Sequence, residues 1–393
     1  MKSLTFQGKG TEYFDIWIIN ILLVIVTLGL YYPWAKVRNK RYFYGNTTFD
    51  GHNFDYHATG KQLFLSFLIA FSFLIVYSIL IQFFPVLDFF FFPVLFILLP
   101  WVVWRSVQFN ARVTSFSNVR FSFTGSLKVA YFCYLLLPLL LMLAFYGPFI
   151  IIGASAAFDM NISIALIGVI VVLGLVLSVF AFAFMKVKNT GYILNGYRFG
   201  QGEFSTHLNV RPFVIILLQT IGIAIVFIVF VAIVIFLLMM SLGTFADINS
   251  NTTLGSEESV NLSNHYMVAA AGFIAPLYVV FIVCGIFVNA YFQAKTREYI
   301  FDHLTLDNNI IFKSTLDPIK FGWLLVTNLL LLVFTMGLAT PWTKVRKAKM
   351  LVENTWVGGD VDFSHYMSEQ HAAQSALGDQ LGDAFDVGID VAI

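Results

Sequence analysis

Charged side chains are scarce in this 393-residue chain. Asp, Glu, Lys and Arg make up 11% of the residues, whereas soluble domains carry about 25%. Hydrophobic residues make up 59%, which is more apolar surface than a water-soluble core could bury. The composition therefore excludes an ordinary soluble domain and predicts an integral membrane protein.

Cysteine is rare, and the short motifs of catalysis are missing. Cys133 and Cys284 both lie in apolar segments, so they are too few and too buried for a disulfide framework. The chain contains no HExxH, P-loop, GxSxG or dinucleotide-binding pattern. We therefore expect no enzymatic activity, no cofactor and no metal site. The formal net charge of +1 and the membrane location argue against nucleic-acid binding.

Lys and Arg are absent from the interior of eight apolar segments, most of which reach the roughly 20 residues that cross a bilayer. The segments cover residues 14–34, 63–84, 89–104, 129–158, 162–185, 212–243, 266–294 and 319–342. Basic residues follow the first, third, fifth and seventh segments, whereas the connections near Asp88, near Asp159 and across 244–265 carry none. By the positive-inside rule, the basic connections face the cytoplasm. The sequence thus predicts an all-α polytopic membrane protein with six to eight transmembrane helices.

The basic connections resemble one another. An offset of 308 residues aligns Pro33 with Pro341, Trp34 with Trp342, Lys36 with Lys344, Arg38 with Arg346, Asn46 with Asn354 and Gly51 with Gly359. An offset of 150 aligns Lys36 with Lys186, Asn39 with Asn189, Tyr42 with Tyr192, Phe49 with Phe199 and His57 with His207. This self-similarity predicts a protein built from internally repeated membrane units.

Each basic connection continues into a short run of alternating character with a turn signal such as Asp50-Gly51. We expect small cytoplasmic β-hairpins near 44–57, 116–124, 196–206, 303–313 and 354–364. Lone hairpins are marginal in water, so several are more stable when paired as a sheet under the helices; irregular loops are the alternative. The repeat-built transmembrane domain covers residues 1–366. An acidic tail, weakly helical or disordered, covers residues 367–393.

The two terminal apolar segments, 14–34 and 319–342, leave two topologies open. Both the connection before residue 319 and the one after residue 342 are basic, which conflicts with a full crossing between them. Gly29 and Pro33 could break the first segment, as Gly337 and Pro341 could break the last. The segments either span the bilayer or re-enter it. We favour re-entrant segments with both termini cytoplasmic.

Polar residues in these terminal segments are the candidate ligand site. Asn20 and Thr27 align with Asn328 and Thr335, and matching interruptions in two halves of a chain are typical of a transporter's central site. Hydrogen bonds between helices are the alternative role. Basic and aromatic residues at the cytoplasmic mouth could bind anionic lipid headgroups or act as topological anchors. These residues are Trp34, Lys36, Arg38, Trp342, Lys344 and Arg346.

Three histidines, His57, His207 and His365, share one position of the repeated unit. Together they could bind Zn²⁺, but no cysteine or carboxylate at matched positions completes such a site. We expect each histidine to close its own hairpin.

The stretch FQGKGTEYFDIWIINILLVIVTLGLYYPWAKVRNKRYFYGNTTFDG at the start, with SFSNVRFSFTG at 115–125, resembles the YjgN family of bacterial inner-membrane proteins. The resemblance covers nearly the whole chain. It implies a multi-pass protein of the inner membrane. The family is a domain of unknown function, so the resemblance implies no activity and no catalytic residues.

Two functional hypotheses follow. In the first, the protein binds or transports a small molecule or lipid through a repeat-built helical core, with anionic lipids as partners on the cytoplasmic side. In the second, it is a non-catalytic scaffold whose cytoplasmic hairpins recruit a protein partner through surfaces around Asn53 and Glu203.

Overall fold

The computed structural model describes residues 1–158, 163–250, 256–359 and 366–370. Its helices are α1 (Gly10–Val26), α2 (Tyr32–Gly45), α3 (Gly60–Phe83), α4 (Val86–Arg112), α5 (Leu127–Tyr131), α6 (Leu137–Ala157), α7 (Ile164–Gly196), α8 (Val210–Ser250), α9 (Ser256–Asp302), α10 (Pro318–Phe334) and α11 (Thr340–Glu353). A π-helical turn at Phe132–Leu136 joins α5 to α6, so the two form one continuous helix. Successive helices are arranged in pairs that leave the strands and return to them.

Six helices in the described part of the chain are long and apolar enough to cross a membrane. They are Gly60–Phe83, Val86–Arg112, Leu127–Ala157, Ile164–Gly196, Val210–Leu237 and Leu277–Asp302. The prediction of a polytopic membrane protein is therefore confirmed, and six lies within the expected range. Of the predicted non-basic connections, residues 159–162 and 251–255 lie outside the described residues.

Short strands connect the helix pairs. They are β1 (Lys2–Ser3), β2 (Thr5–Phe6), β3 (Thr47–Phe49), β4 (His52–Tyr56), β5 (Thr114–Phe116), β6 (Val119–Phe123), β7 (Tyr197–Phe199), β8 (Gly202–Thr206), β9 (Leu304–Leu306), β10 (Ile310–Ser314) and β11 (Thr355–Gly359). All eleven belong to one antiparallel sheet in the order β1-β11-β10-β9-β8-β7-β6-β5-β4-β3-β2. The protein is mostly helical, as predicted, but the all-α description understates the strands, because each hairpin pairs with the next and the sheet forms a continuous layer beneath the helices.

The amino-terminal segment brings the two ends of this sheet together. Lys2 pairs with Val357 in β11, and Thr5 pairs with Thr48 in β3. Between them, the Leu4 amide donates to the carbonyl of Thr355 at 3.0 Å. The eleven strands therefore form a nearly closed barrel, which leaves few unpaired backbone groups at an edge.

The closed sheet also explains why the region near 354–364, where we expected a hairpin, is arranged differently. In the described residues this region contributes one strand, β11, and its neighbours are β10 and the amino-terminal β1. The two chain ends thus take the place that a continuous hairpin occupies elsewhere in the barrel. Residues 360–365 lie outside the described residues.

Apolar side chains fill the inside of the barrel. Residues from six strands form one buried cluster. In a closed sheet the interior face is the only surface that all of these strands share, so the cluster lies inside the barrel. The buried members are Phe49, Val119, Phe199, Leu306, Ile310, Val357 and Met367. Phenylalanine rings extend this cluster, with centroid separations such as 4.5 Å for Phe54 and Phe116 and 5.0 Å for Phe121 and Phe199. The described strands therefore enclose a packed apolar core.

The helices stand on the barrel as a ring. Each packs mainly against the helices before and after it in sequence, and α11 packs against α1 to complete the circuit. The same aromatic contact recurs at two of these seams. Trp34 covers the backbone of Gly60 and its ring lies 5.1 Å from that of Phe64, while Trp342 covers Gly10 and lies 5.2 Å from Phe14.

Candidate functional site

The side chains of Thr27 and Thr335 stabilise two equivalent turns, one between α1 and α2 and the other between α10 and α11. The Thr27 hydroxyl donates to the carbonyl of Leu23 at 2.6 Å and accepts from the Tyr31 amide at 3.0 Å. Thr335 makes the equivalent bonds at the same distances, to Leu331 and from Ala339. Each hydroxyl thus satisfies backbone groups where one helix ends and the next begins.

These turns reverse the chain at an apolar tip. Gly29 and Gly337 have φ of +92° and +89°, and the preceding Leu28 and Met336 also have positive φ. The side chains of Leu28 and Met336 are 94% and 96% exposed. α1 and α2 therefore form one helical hairpin and α10 and α11 another, each with its ends at the barrel.

Asn20 and Asn328 are buried within these two helix pairs but have different partners. Asn20 Nδ2 donates to Asn39 Oδ1 at 3.2 Å, and within the described part of the chain its own Oδ1 has no hydrogen-bond partner. Asn328 Nδ2 donates to the carbonyl of Thr343 at 3.2 Å, and its Oδ1 accepts from Arg346 at 3.0 Å. The structure thus brings together the predicted residues Asn328 and Arg346, whereas Asn20 is paired with Asn39 and not with Arg38.

The remaining predicted residues lie along α2 and α11. Lys36, Arg38 and Lys344 are exposed, and the Arg38 guanidinium lies 5.9 Å from the centre of the Tyr31 ring. Trp34 and Trp342 are held in the seams with the neighbouring helix pairs. The predicted residues are therefore divided between two separate hairpins, and each set bonds mainly within its own hairpin.

The repeated histidines occupy separate sites. His57 Nε2 lies 2.7 Å from the Ser115 hydroxyl, across the seam between β4 and β5. His207 lies between β8 and α8, and His365 is outside the described residues. In the described ranges, no three His, Cys, Asp or Glu side chains gather where a metal ion could bind.

The beginning of the predicted tail is part of the barrel. Residues 366–370 are helical, and Met367 belongs to the buried cluster inside the sheet. Tyr366 donates to Asp307 Oδ2 at 2.6 Å, and the Gln201 amide donates to Gln370 Oε1 at 2.8 Å. Burial, together with the hydrogen bond to Asp307, raises the pKa of Tyr366. This segment closes the barrel at the hairpin turns, the end away from the helices; residues 371–393 lie outside the described residues.

A polar cavity of about 650 Å³ lies where α5, α7 and the connection from β8 to α8 meet. Its lining includes three side chains that carry or can take up positive charge: Lys188, Arg198 and His207. Arg198 is neutralised by Glu203 at 3.0 Å, whereas Lys188 forms no ion pair with a described carboxylate. Lys188 lies 5.4 Å above the Phe184 ring. The unbalanced positive charge in the cavity therefore comes from Lys188.

The cavity wall contains the π-helical turn at Phe132–Leu136, through its residues Phe132 and Cys133. Such turns are rare and are often found at functional sites. The sequence analysis missed this cavity because its lining comes from three separated stretches of chain. One signal was available: Lys188 occupies the repeated position of Arg38 at the offset of 150.

A second, apolar groove of about 430 Å³ lies higher along the same helices. Leu141 and Phe145 of α6, Val179 and Phe182 of α7 and Ile221 of α8 are among its lining residues. On α7 the groove ends at Phe182 and the polar cavity starts at Val187, an axial distance of about 8 Å. A single seam between helices thus presents a cationic cavity below and an apolar groove above.

Comparisons with known proteins place the chain among membrane proteins. The model of the family described as bacterial protein of unknown function (DUF898) matches residues 1–384. The inner membrane protein YjgN of Salmonella typhimurium strain LT2 is 31% identical over 369 residues, which are 92% of this chain and 89% of that protein. The inner membrane protein YjgN of Escherichia coli strain K12 is 27% identical over 370 residues, with coverage of 92% and 89%. No solved structure matches the chain.

Proposed function

We propose a function from this premise: the chain belongs to the DUF898 family of bacterial proteins of unknown function, and it is a multi-pass inner-membrane protein. In our proposal it is a non-enzymatic protein that takes membrane phospholipid from the surrounding leaflet into the space between its helices and binds it there. The helix pairs and their hairpins are internal repeats, and the barrel faces the cytoplasm.

The distribution of charge supports this orientation. Basic residues cluster where the helices meet the barrel, as in Lys36 to Arg41 of α2 and Lys344 to Lys349 of α11. At the other end, neither the α3–α4 connection nor the first turn of α4, which contains Asp88, has a Lys or Arg. Under the positive-inside rule, the barrel end is cytoplasmic.

The terminal helix pairs enter and leave the membrane on the same side in this proposal. α1 is 17 residues long, or about 26 Å, which is less than the roughly 30 Å of a bilayer's hydrocarbon core. Its tip at Leu28 is apolar and exposed, and the chain then returns to the barrel through α2. If both terminal pairs are re-entrant, the basic connections before residue 319 and after residue 342 lie on the same side of the membrane, as the positive-inside rule requires.

The observation that carries the proposal is the exposure of the spanning helix α3 on every face. In α3, the consecutive residues Phe73, Leu74, Ile75 and Val76 are 48%, 50%, 44% and 54% exposed. Consecutive residues of an α-helix point about 100° apart, so these four sample the whole circumference. Apolar side chains on all sides need hydrocarbon on all sides, including the side that faces the middle of the ring.

The packed barrel directs the path of such a ligand. Because phenylalanine rings pack inside the described strands of the barrel, they block the path of a molecule from the space between the helices through the barrel. Entry from the surrounding leaflet, between helix pairs, remains open. This favours a lipid over a water-soluble solute as the ligand.

Photocrosslinking in native membranes tests the proposal. A diazirine-bearing amino acid is placed in turn at residues 73, 74, 75 and 76, and the adducts are identified by mass spectrometry. We expect phospholipid adducts at all four positions. The control position is Phe321, which is fully buried in a cluster with residues of α9 and should give adducts within the protein only.

The opposite result is equally clear. If one or two of the four positions give only protein adducts, another helix or a second protein covers that face of α3. The space within the ring is then filled by protein, and the proposed lipid site does not exist.

A further inference from the structure

We propose that the seam between α6, α7 and α8 is a phospholipid site in which Lys188 and Thr206 bind the phosphate and the apolar groove above them holds an acyl chain. This inference rests on the proposed function, since it names the chemical group recognised and the place where it binds. The shared chemistry is a phosphate ester, and we assign it to a lipid and not to a soluble metabolite.

The charge of the cavity selects an anion. Lys188 supplies a positive charge that no described carboxylate neutralises, and His207 lies on the same wall. Arg198 contributes less, because its Nη2 pairs with Glu203 and its Nη1 donates to the carbonyls of Asn195 and Tyr197. A phosphate oxygen is a strong acceptor for such donors. The cavity is also at the junction of helices and strands, the level at which we place the headgroups.

Thr206 is the second, independent observation. It lines the cavity and is only 5% exposed. Its backbone is tied to Asn195, whose Oδ1 accepts from the Thr206 amide at 2.7 Å. Its side-chain hydroxyl, however, has no hydrogen-bond partner among the residues that the structure describes. Burying a hydroxyl without a partner costs free energy, so a ligand acceptor in the cavity would satisfy a group that the protein leaves unpaired.

The apolar groove above the cavity indicates that the ligand is amphiphilic. Its lining is almost entirely hydrocarbon and aromatic, from Leu141, Phe145 and Phe182 among others. Its lower end is about 8 Å along α7 from the cavity. Polar and apolar compartments in this order along one seam match a phosphate head with an attached chain.

The test uses the full chain in detergent, titrated with three probes and followed by native mass spectrometry. Dioctanoyl phosphatidylglycerol carries both the phosphate and the chains, dioctanoylglycerol lacks the phosphate, and glycerol 3-phosphate lacks the chains. We expect the first probe to bind at least about tenfold more tightly than either of the others, because a charge-assisted hydrogen bond contributes about that factor.

A matched pair of variants locates the site. Lys188→Gln should weaken binding of dioctanoyl phosphatidylglycerol by about tenfold. Lys186→Gln removes the same charge from the same helix, but Lys186 does not line the cavity, so its affinity should stay within about twofold, a change below 0.5 kcal/mol. Equal losses in the two variants would overturn the assignment, as would equal binding of dioctanoylglycerol.

Thr206→Val separates recognition from folding. Valine has nearly the same shape and removes a buried hydroxyl that lacks a partner, so the variant should be at least as thermally stable as the wild type without ligand. It should nevertheless bind dioctanoyl phosphatidylglycerol more weakly. Unchanged affinity in this variant would contradict the proposal.

Two outcomes distinguish this inference from the function on which it rests. If glycerol 3-phosphate displaces the lipid probe as effectively as the lipid itself, the cavity is a site for a soluble phosphate and the lipid assignment fails. If neither Lys188→Gln nor Thr206→Val changes binding while the α3 positions still crosslink to lipid, this site is wrong and the proposed function stands.

Discussion

At the scale of single residues, the contact between a tryptophan ring and a glycine determines how closely neighbouring helix pairs approach each other. A Cβ atom added to Gly60 would overlap the indole of Trp34, and one added to Gly10 would overlap that of Trp342. The indole therefore lies directly on the backbone at the start of the next helix pair. The equivalence of Trp34 and Trp342 is visible in the sequence, but their glycine partners become visible only in the fold.

Gly60→Ala should destabilise the protein by about 1–3 kcal/mol, because the added methyl group forces Trp34 out of its packed position. Thermal unfolding in detergent measures the change. Gly168→Ala in α7 is the control: nothing lies within 4 Å of the added Cβ, so this change should be neutral or stabilise by up to about 1 kcal/mol. Equal effects at the two positions would show that the indole contact does not limit the packing.

At the scale of elements, the helix pair that leaves the barrel and returns to it is the recurring unit. Its short form, α1 with α2 and α10 with α11, has a tight turn closed by threonine and glycine. Its long form, such as α3 with α4, is joined by a few residues near Asp88, where Tyr77 donates to the Asp88 carboxylate at 2.6 Å. The two forms therefore differ in length: α1 has 17 residues and α3 has 24, and under the topology proposed above only the long form spans the membrane.

Cysteine labelling tests the re-entrant topology. In a chain with Cys133 and Cys284 replaced by alanine, Leu28→Cys should resist a membrane-impermeant maleimide in both spheroplasts and inverted vesicles, because the tip is inside the bilayer. The control, Asn53→Cys on the exposed β4 strand, should react only in inverted vesicles. Reaction of Leu28→Cys in spheroplasts would instead show that α1 crosses the membrane.

At the scale of the whole molecule, the closed sheet is what holds the helix pairs in a ring. Successive hairpins of one chain could form an open, curved sheet with two free edges. The two amino-terminal strands cover both edges, because β1 pairs with β11 and β2 pairs with β3. The buried apolar cluster then contains residues from strands around the closed sheet, together with Met367, which follows β11 in the chain.

Leu4→Pro should open this closure. Proline has no amide hydrogen, so the bond from residue 4 to the Thr355 carbonyl is lost. Leu4→Val keeps the amide and most of the apolar contact with the barrel core. We expect the proline variant to be less stable than the valine variant by about 1–3 kcal/mol in thermal unfolding. Similar stability of the two would mean that the backbone bond at this junction is not needed for closure.

Much of the local organisation is visible in the sequence because it depends on short-range patterns. The apolar segments and the basic patches follow from composition alone. The turns at Asp50-Gly51 and at Asp307 need positive φ, and Asp, Asn and Gly supply it. The strands that follow these turns alternate between more buried and exposed positions, β4 from Asn53 onward and β10 throughout, and that period can be seen without coordinates.

The candidate site residues show which contacts such sequence patterns cannot predict. Asn20 and Asn328 occupy one aligned position, yet one bonds to an asparagine and the other accepts from Arg346. The alignment could not distinguish them, because hydrogen-bond partners depend on the distance between side chains across a helix pair. Thr27 and Thr335 are identical in both sequence and contacts, since their partners are only four residues away.

The sequence by itself determined that this protein is embedded in a membrane and where its hairpins turn, because burial in lipid and backbone turns depend on neighbouring residues. The tertiary structure alone decided that the sheet closes and that a cationic cavity lies beneath an apolar groove. Closure joins strands from opposite ends of the chain, and the cavity gathers Lys188, Thr206 and the π-helical turn from separate elements. Contacts over such separations leave no periodic signal in the sequence, since they form only when elements distant in the chain pack together.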